Sequence, residues 1–391
     1  MLTASVASAY ALDNKSHRSL DAAIDRAIAE KRIVGAVVAV ARNGQIVYRR
    51  AAGLSDREAG TGMREDAIFR LASITKPIVT ATLMRLVEDG VLTLDDPVTR
   101  WLPDFRPRIE DGSEPAITVR QLLTHTSGLS YRFIEPADSA YARLDVSDGL
   151  DQPGLSIDAN LGRLQQVALL FRPGTNWRYS LGIDVLGAVI AKASNKTLPE
   201  AVRDTVLAPL ELTDTDFKVS DPARLVTPYA DGRPEPVRMK DGTEIPIGEN
   251  VARFAPSRAL DPASYPSVGA GMVGTADDIL RFLETVRAGG APILKQETVV
   301  AMMKDQVGAQ AQAQGPGWGF GYGWAVLDDP ELAHTPQSRG TIQWGGAYGH
   351  SWFVDPARKL TVVALTNTAF EGMSGAFPTD VRNAVYADFQ D

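Results

Sequence analysis

Two hydrophobic periods organise the start of the chain. Leu20, Ala23, Ile24, Ala27 and Ile28 recur at helical spacing and predict an amphipathic first helix ending near Ile33. Its apolar stripe needs a sheet to cover, and the valine-rich run 36–41 supplies a first strand. Asn43-Gly44 is a strong hairpin signal, and residues 45–52 return as the partner strand. The charged, glycine-bearing stretch 56–63 reads as a loop. After Ile74 the helical period resumes over Ile78, Val79, Leu83, Leu86 and Val87. Pro77 falls in the first turn, where its missing N–H costs little, and Gly90 supplies the stop.

Beyond Gly90 the pattern breaks into short helices and proline-rich loops. Thr118 and Gln121 form a capping box for a short helix over Leu122 and Leu123, and Gly128 ends it. Tyr179 directly precedes a helix whose apolar face holds Val185, Leu186, Val189 and Ile190. Residues 209–266 are proline-rich and irregular, suited to wrapping the surface or roofing a cleft. Thr275 with Asp278 caps a helix through Val286, closed by Gly289 and Gly290. Strand patterns return at 324–327, 353–355 and 360–365, and a helix over 380–389 follows. The expected fold is α/β (α+β): one antiparallel sheet built from both chain ends, flanked by helices, with a mainly helical lobe inserted. The expectation is a single domain over 1–391, with an α/β lobe over roughly 1–85 and 265–391 and a helical, irregular lobe over roughly 86–264.

Composition narrows the chemistry. The 391 residues are 44% hydrophobic, enough for a large core, and carry a net charge of -8 without any run of lysines or arginines. Nucleic acid and anionic membrane surfaces are therefore not expected partners. The absence of cysteine excludes disulfides, thiolate metal sites and cysteine nucleophiles. His17, His125, His334 and His350 are too few and too scattered for a zinc site, so neither metal nor cofactor is expected. No stretch approaches the roughly 20 apolar residues of a membrane span. The opening MLTASVASAYAL lacks a charged start and a continuous apolar run, and the expected location is cytoplasmic. The oligomeric state is left open.

Candidate chemistry centres on the stretch LASITKPIV. Ser73 lies at the predicted helix start and Lys76 one turn on, on the same face. Unpaired N–H groups and the positive helix end point to where a serine oxyanion would form. A serine N-cap with a helical lysine fits the same pattern. Val146-Ser147-Asp148-Gly149 partly matches a nucleophile elbow, but Asp145 replaces the first glycine and no helix start follows, so Ser147 reads as a loop serine. His125, among threonines and serines in a helix-terminal turn, reads as a hydrogen-bonded structural histidine. Tyr179, close to Trp177, fits either an aromatic patch or a proton carrier. In QWGGAYGHSW, Gly345, Gly346 and Gly349 let a strand lie close against a neighbour, where its edge could supply an oxyanion N–H.

Ser73-Ile-Thr-Lys76, LLTHTSGL, Tyr179-Ser-Leu and Trp344-Gly-Gly, in that order across most of the chain, resemble serine hydrolases of the class C β-lactamase and penicillin-binding-protein fold. The stretches LASITKPIV, GPGWGFGYGWAVLDDP and WGGAYGHSWFVD are more closely similar to bacterial family VIII carboxylesterases of EstB type. The resemblance implies Ser73 as acylated nucleophile, Lys76 as its activator and Tyr179 as the base that returns a proton to the leaving group. It also implies an oxyanion hole from the N–H groups of Ser73 and Ala347.

Two departures bear on substrate. Class C enzymes carry Tyr-x-Asn where this chain has Tyr179-Ser180-Leu181, and Lys-Thr-Gly where it has Trp344-Gly345-Gly346. Without that amide and ammonium, and with an indole instead, the cleft suits the apolar part of a neutral ester. The implied activity is hydrolysis of short-chain carboxylic esters, small-molecule substrates, through an acyl-enzyme, with slow β-lactam acylation at most. Tyr131, Trp344, Gly345 and Gly346 are the expected substrate contacts. An amidase, D-amino-acid peptidase, acyltransferase or aminohexanoate-oligomer hydrolase would use the same triad, and a non-catalytic penicillin-recognition module is the alternative outside catalysis.

Overall fold

The computed structural model describes residues 17–389, so the opening segment weighed above as a signal lies outside the described residues. Helix α1 (Arg18–Ala29) is followed by the hairpin of β1 (Gly35–Arg42) and β2 (Gln45–Asp56), turned at Asn43-Gly44, both with positive φ. The helix stops before Ile33 because Lys31 takes a left-handed conformation (φ 57°). Strand β2 runs past Ala52 and pairs with a two-residue strand β3 (Thr61–Gly62), so part of the expected 56–63 loop belongs to the sheet.

Five more strands follow near the other chain end: β4 (Trp318–Phe320), β5 (Ala325–Leu327), β6 (Ile342–Gly346), β7 (His350–Asp355) and β8 (Leu360–Thr366). Together they form one antiparallel sheet ordered β4-β5-β6-β7-β8-β1-β2-β3. The central strand β1 is buried on both faces, as its unbroken apolar run requires. Val37, Ala39 and Ala41 join the larger core, whereas Ala36, Val38 and Val40 pack in a second core with Leu20, Ile24 and Ala27. That second layer is completed by α5 (Ala376–Asp388), through Phe377, Val381 and Val385.

The larger core holds α2 (Thr75–Glu88), α3 (Gly182–Ser194) and α4 (Ala276–Arg287). Thr275 caps α4 by accepting from the Asp278 N–H, and Thr118 with Gln121 makes a full capping box on the short helix Val119–Leu123. Residues 209–266 are not wholly irregular. They contain a hairpin, Thr243–Ile247 with Asn250–Phe254, whose inward Ile245, Ala252 and Phe254 sit in a third cluster beside Leu150 and Tyr348. Pro246 hid this strand from sequence reading, because proline argues against a strand except at an edge. Among the described residues, no helix is long and apolar enough to cross a membrane.

Candidate active site

Ser73 lies within a short 3₁₀ turn, Ala72–Ile74, that runs directly into α2. The turn is entered through Ala72, whose φ of 46° is left-handed, a strained conformation of the kind that buried packing can impose. Ala72 is fully buried, whereas Ser73 remains partly accessible. Lys76, three residues on, returns over the serine. Its Nζ donates to Ser73 Oγ at 2.9 Å and to the Gly269 carbonyl at 2.8 Å. Only 1% of Lys76 is exposed, so these bonds and the surrounding aromatic faces replace its water.

Tyr179 reaches the same oxygen from the start of α3. Its hydroxyl lies 2.9 Å from Ser73 Oγ, and Lys76 Nζ sits 4.8 Å from its ring centroid. The backbone before α3 is fixed by His125, whose Nδ1 accepts from the Ser180 N–H at 3.2 Å. Burial, reinforced by the charge of Lys76, pushes the His125 imidazole well below its usual range, so it stays neutral. The structural reading of His125 therefore agrees with its surroundings.

Strand β6 brings the glycine segment against the turn that holds Ser73. A Cβ at Gly346 would lie 2.4 Å from the Leu71 carbonyl oxygen, so only glycine lets the two backbones meet. Ala347 follows and lines the same cavity as Ser73. Behind it, His350 Nε2 lies 2.7 Å from the Arg70 carbonyl oxygen and donates to it, tying β7 to the residues entering the turn.

A cavity of about 480 Å³ opens on Ser73, Tyr179 and Ala347, with Phe133, Leu150, Ile247, Trp344 and Phe370 among its walls. Trp344 packs 5.4 Å from the Tyr179 ring, and it and Gly345 line the space. Tyr131 and Gly346 do not. Tyr131 is 2% exposed and stands behind Tyr179 and Lys76, its ring 4.9 Å from the Tyr179 ring and stacked on Phe133 at 4.8 Å. Burial pushes its phenol well above the usual range.

Ser147 does not line this cavity. It is fully buried in a loop, donates to Asp151 Oδ1 at 2.5 Å and accepts from the Gly149 N–H.

One group escaped sequence reading altogether. Asp184, in the first turn of α3, is buried and accepts from the Gly269 N–H at 2.7 Å, from Ser267 at 3.0 Å and from Tyr265 at 3.1 Å. Burial raises its carboxyl above the ordinary range, against the pull of those donors and of Lys76. Gly269 is thus held on its N–H side by Asp184 and on its carbonyl side by Lys76. The signal available was the small-residue run Ser267-Val268-Gly269-Ala270-Gly271, which marks close backbone approach. A Cβ on Gly269 would stand 2.8 Å from the Tyr131 hydroxyl. Among the described residues, no cluster of three or more metal-ligating side chains occurs.

A serine oxygen shared by a lysine and a tyrosine, with a strand backbone beside it, is suited to forming and releasing an acyl group. Known proteins share this fold and much of this sequence. The chain is 56% identical to Esterase EstB of Burkholderia gladioli over 97% of both chains. It superposes on EstCE1, a hydrolase with promiscuous acyltransferase activity, with a TM-score of 0.92 and 48% identity, over 94% of this chain and 98% of that one. Simvastatin synthase LovD of Aspergillus terreus, unliganded, shares the fold at a TM-score of 0.74 and 21% identity, over 95% and 98% of the two chains. The β-lactamase family model matches residues 20–386, and the chain belongs to that family of serine hydrolases.

Proposed function

We propose that the protein is a carboxylesterase of family VIII type that hydrolyses short-chain esters through an acyl-enzyme on Ser73, within an Ser-x-x-Lys motif. The observation that carries this reading is the convergence of Lys76 Nζ and Tyr179 Oη on Ser73 Oγ, each at 2.9 Å, inside an apolar cavity. The 56% identity to an esterase supports the choice of ester over amide. So does Trp344, which gives the wall an indole face and no charge.

In this reading Ser73 Oγ attacks the ester carbonyl as its proton passes to Tyr179 Oη, which acts as the general base. The N–H groups of Ser73 and Ala347 hold the resulting oxyanion. The C–O bond to the alcohol breaks, and Tyr179 gives its proton to the departing oxygen. Water then attacks the acyl-enzyme, losing a proton to Tyr179, and the acid leaves as that proton returns to Ser73. Lys76, held by Gly269, stabilises negative charge on the serine oxygen at each transfer. Trp344 and Gly345 contact the substrate directly, and Tyr131 and Gly346 act from behind them. The similarity to EstCE1 favours a second outcome for the same intermediate, transfer of the acyl group to an alcohol in place of water.

The proposal includes a single catalytic domain, with an α/β part over roughly 1–85 and 265–391 and a helical part over roughly 86–264, and a cytoplasmic location. Intact-protein mass spectrometry after a phosphonate probe tests the core claim. One adduct is expected on wild type and none on Ser73→Ala, with p-nitrophenyl acetate turned over much faster than nitrocefin. Labelling retained in Ser73→Ala, or faster nitrocefin turnover, overturns the proposal.

A further inference from the structure

The cavity at Ser73 has a second arm. Its lining continues past Gly345 and Met373 onto the outer face of the sheet, where Ser351, Phe353 and Val362 form a floor and Pro378 and Val381 of α5 a wall. Gly345 pairs with Ser351, and Phe353 pairs with Val362, so the floor crosses the adjacent strands β6, β7 and β8. Two strand spacings carry it roughly 10 Å beyond Gly345. Met373 packs where a Gly345 side chain would stand, and a flexible thioether there can yield to a ligand.

At the arm's far end stands Arg382, the one arginine, lysine, aspartate or glutamate among the residues lining the cavity. Among the described residues its guanidinium donates to the side-chain oxygen of neighbouring Asn383, at 3.3 Å, and pairs with no carboxylate. Glu371 and Asp380 pair with Arg32, and Asp355 accepts from Tyr386, one turn on from Arg382 in α5. A half-buried cation at the end of an apolar trough, paired with no carboxylate, is matched to an anion on a hydrocarbon chain.

We propose that this arm takes the distal chain of an ester whose far end is a carboxylate, paired there with Arg382. The inference rests on the esterase reading and names a substrate class for the same site. The chain can belong to the acid or to the alcohol, and the two are separable by experiment.

The test compares kcat/KM for the mono-p-nitrophenyl ester of decanedioic acid with that for p-nitrophenyl decanoate, and for 8-carboxyoctyl butyrate with that for nonyl butyrate. Wild type is expected to prefer the carboxylate by about tenfold in one of the two pairs, the worth of one charged hydrogen-bonded contact. Arg382→Gln should bring that ratio close to one, and Arg382→Lys should restore part of it. Val362→Trp, which fills the floor, should depress both long esters relative to p-nitrophenyl butyrate.

Calorimetric titration with the monoamide of octanedioic acid, beside octanamide, reads the arm without turnover. Tighter binding of the acid, lost in Arg382→Gln, upholds the arm even if no ester is hydrolysed, a result that would reject only the esterase reading. Equal binding and equal kcat/KM within both pairs, or a preference that survives in Arg382→Gln, overturns it.

Discussion

Lys76 lies across the ring of Tyr179, its Nζ 4.8 Å from the centroid, while both side chains reach the one oxygen of Ser73. The tyrosine ring therefore has two separable tasks. Its face packs against a buried cation, and its hydroxyl meets Ser73 Oγ, where the proposed mechanism moves a proton.

Tyr179→Phe keeps the first task and removes the second. The variant is expected to fold with wild-type stability and to lose about 10²- to 10⁴-fold in kcat on p-nitrophenyl butyrate, with little change in KM. A kcat within threefold of wild type would remove Tyr179 from the proton path.

Gly346→Ala places a methyl group 2.4 Å from the Leu71 carbonyl oxygen, and both atoms belong to backbone. Strand β6 must retreat from the Ser73 turn and take Ala347 with it. Activity should fall at least about tenfold, and stability should drop by about 1–3 kcal/mol, the usual cost of overpacking. Urea unfolding beside steady-state kinetics checks both, and full activity in the variant would show that this contact does not set the oxyanion geometry.

Trp344→Ala removes the indole that faces Tyr179 at 5.4 Å and Phe320 at 5.5 Å. Because the side chain forms cavity wall and carries no proton, KM for a butyrate ester should rise about tenfold while kcat changes less. A selective loss of kcat would mean that the indole positions Tyr179 and does not hold substrate.

His350 is expected to make stability fall in acid. Burial depresses its imidazole to about 4, and the Nε2 proton goes to the Arg70 carbonyl. The unfolded chain binds the proton more readily, so this contribution is complete above pH 6.5 and is lost as pH falls from 6.5 towards 4. A shift of that size corresponds to about 3 kcal/mol. Denaturation midpoints measured between pH 4 and 7 should slope less in His350→Gln than in wild type, and parallel curves would remove His350 as the cause.

Much of the candidate site was legible because its parts are local. Ser73 and Lys76 lie three residues apart across the junction of a 3₁₀ turn and α2, and Tyr179 announces itself by its place before an apolar helix. The capping residues Thr118 and Thr275 were equally readable, since a cap is a contact between residues three apart. Asp184 was not, because its partners Ser267 and Gly269 lie more than 80 residues away and nothing in its own helix requires an acid. Tyr131 looked like a surface of the cleft from its loop position, yet three-dimensional packing sets it behind Tyr179. The hairpin at 243–254 was hidden by a proline in a short strand.

The pairing of β1 with β8 also bears on how the chain reaches its native state during synthesis. Seven register pairs, from Ala36 with Thr366 to Arg42 with Leu360, join the first strand to the last. A ribosome must deliver more than 300 further residues before β1 finds that neighbour, and until then one edge of the β1–β2 hairpin stays unpaired. Contacts of such long sequence separation close slowly and late. During synthesis the β1–β2 hairpin thus keeps an open, valine-rich strand edge until β8 arrives, an edge able to pair with other chains.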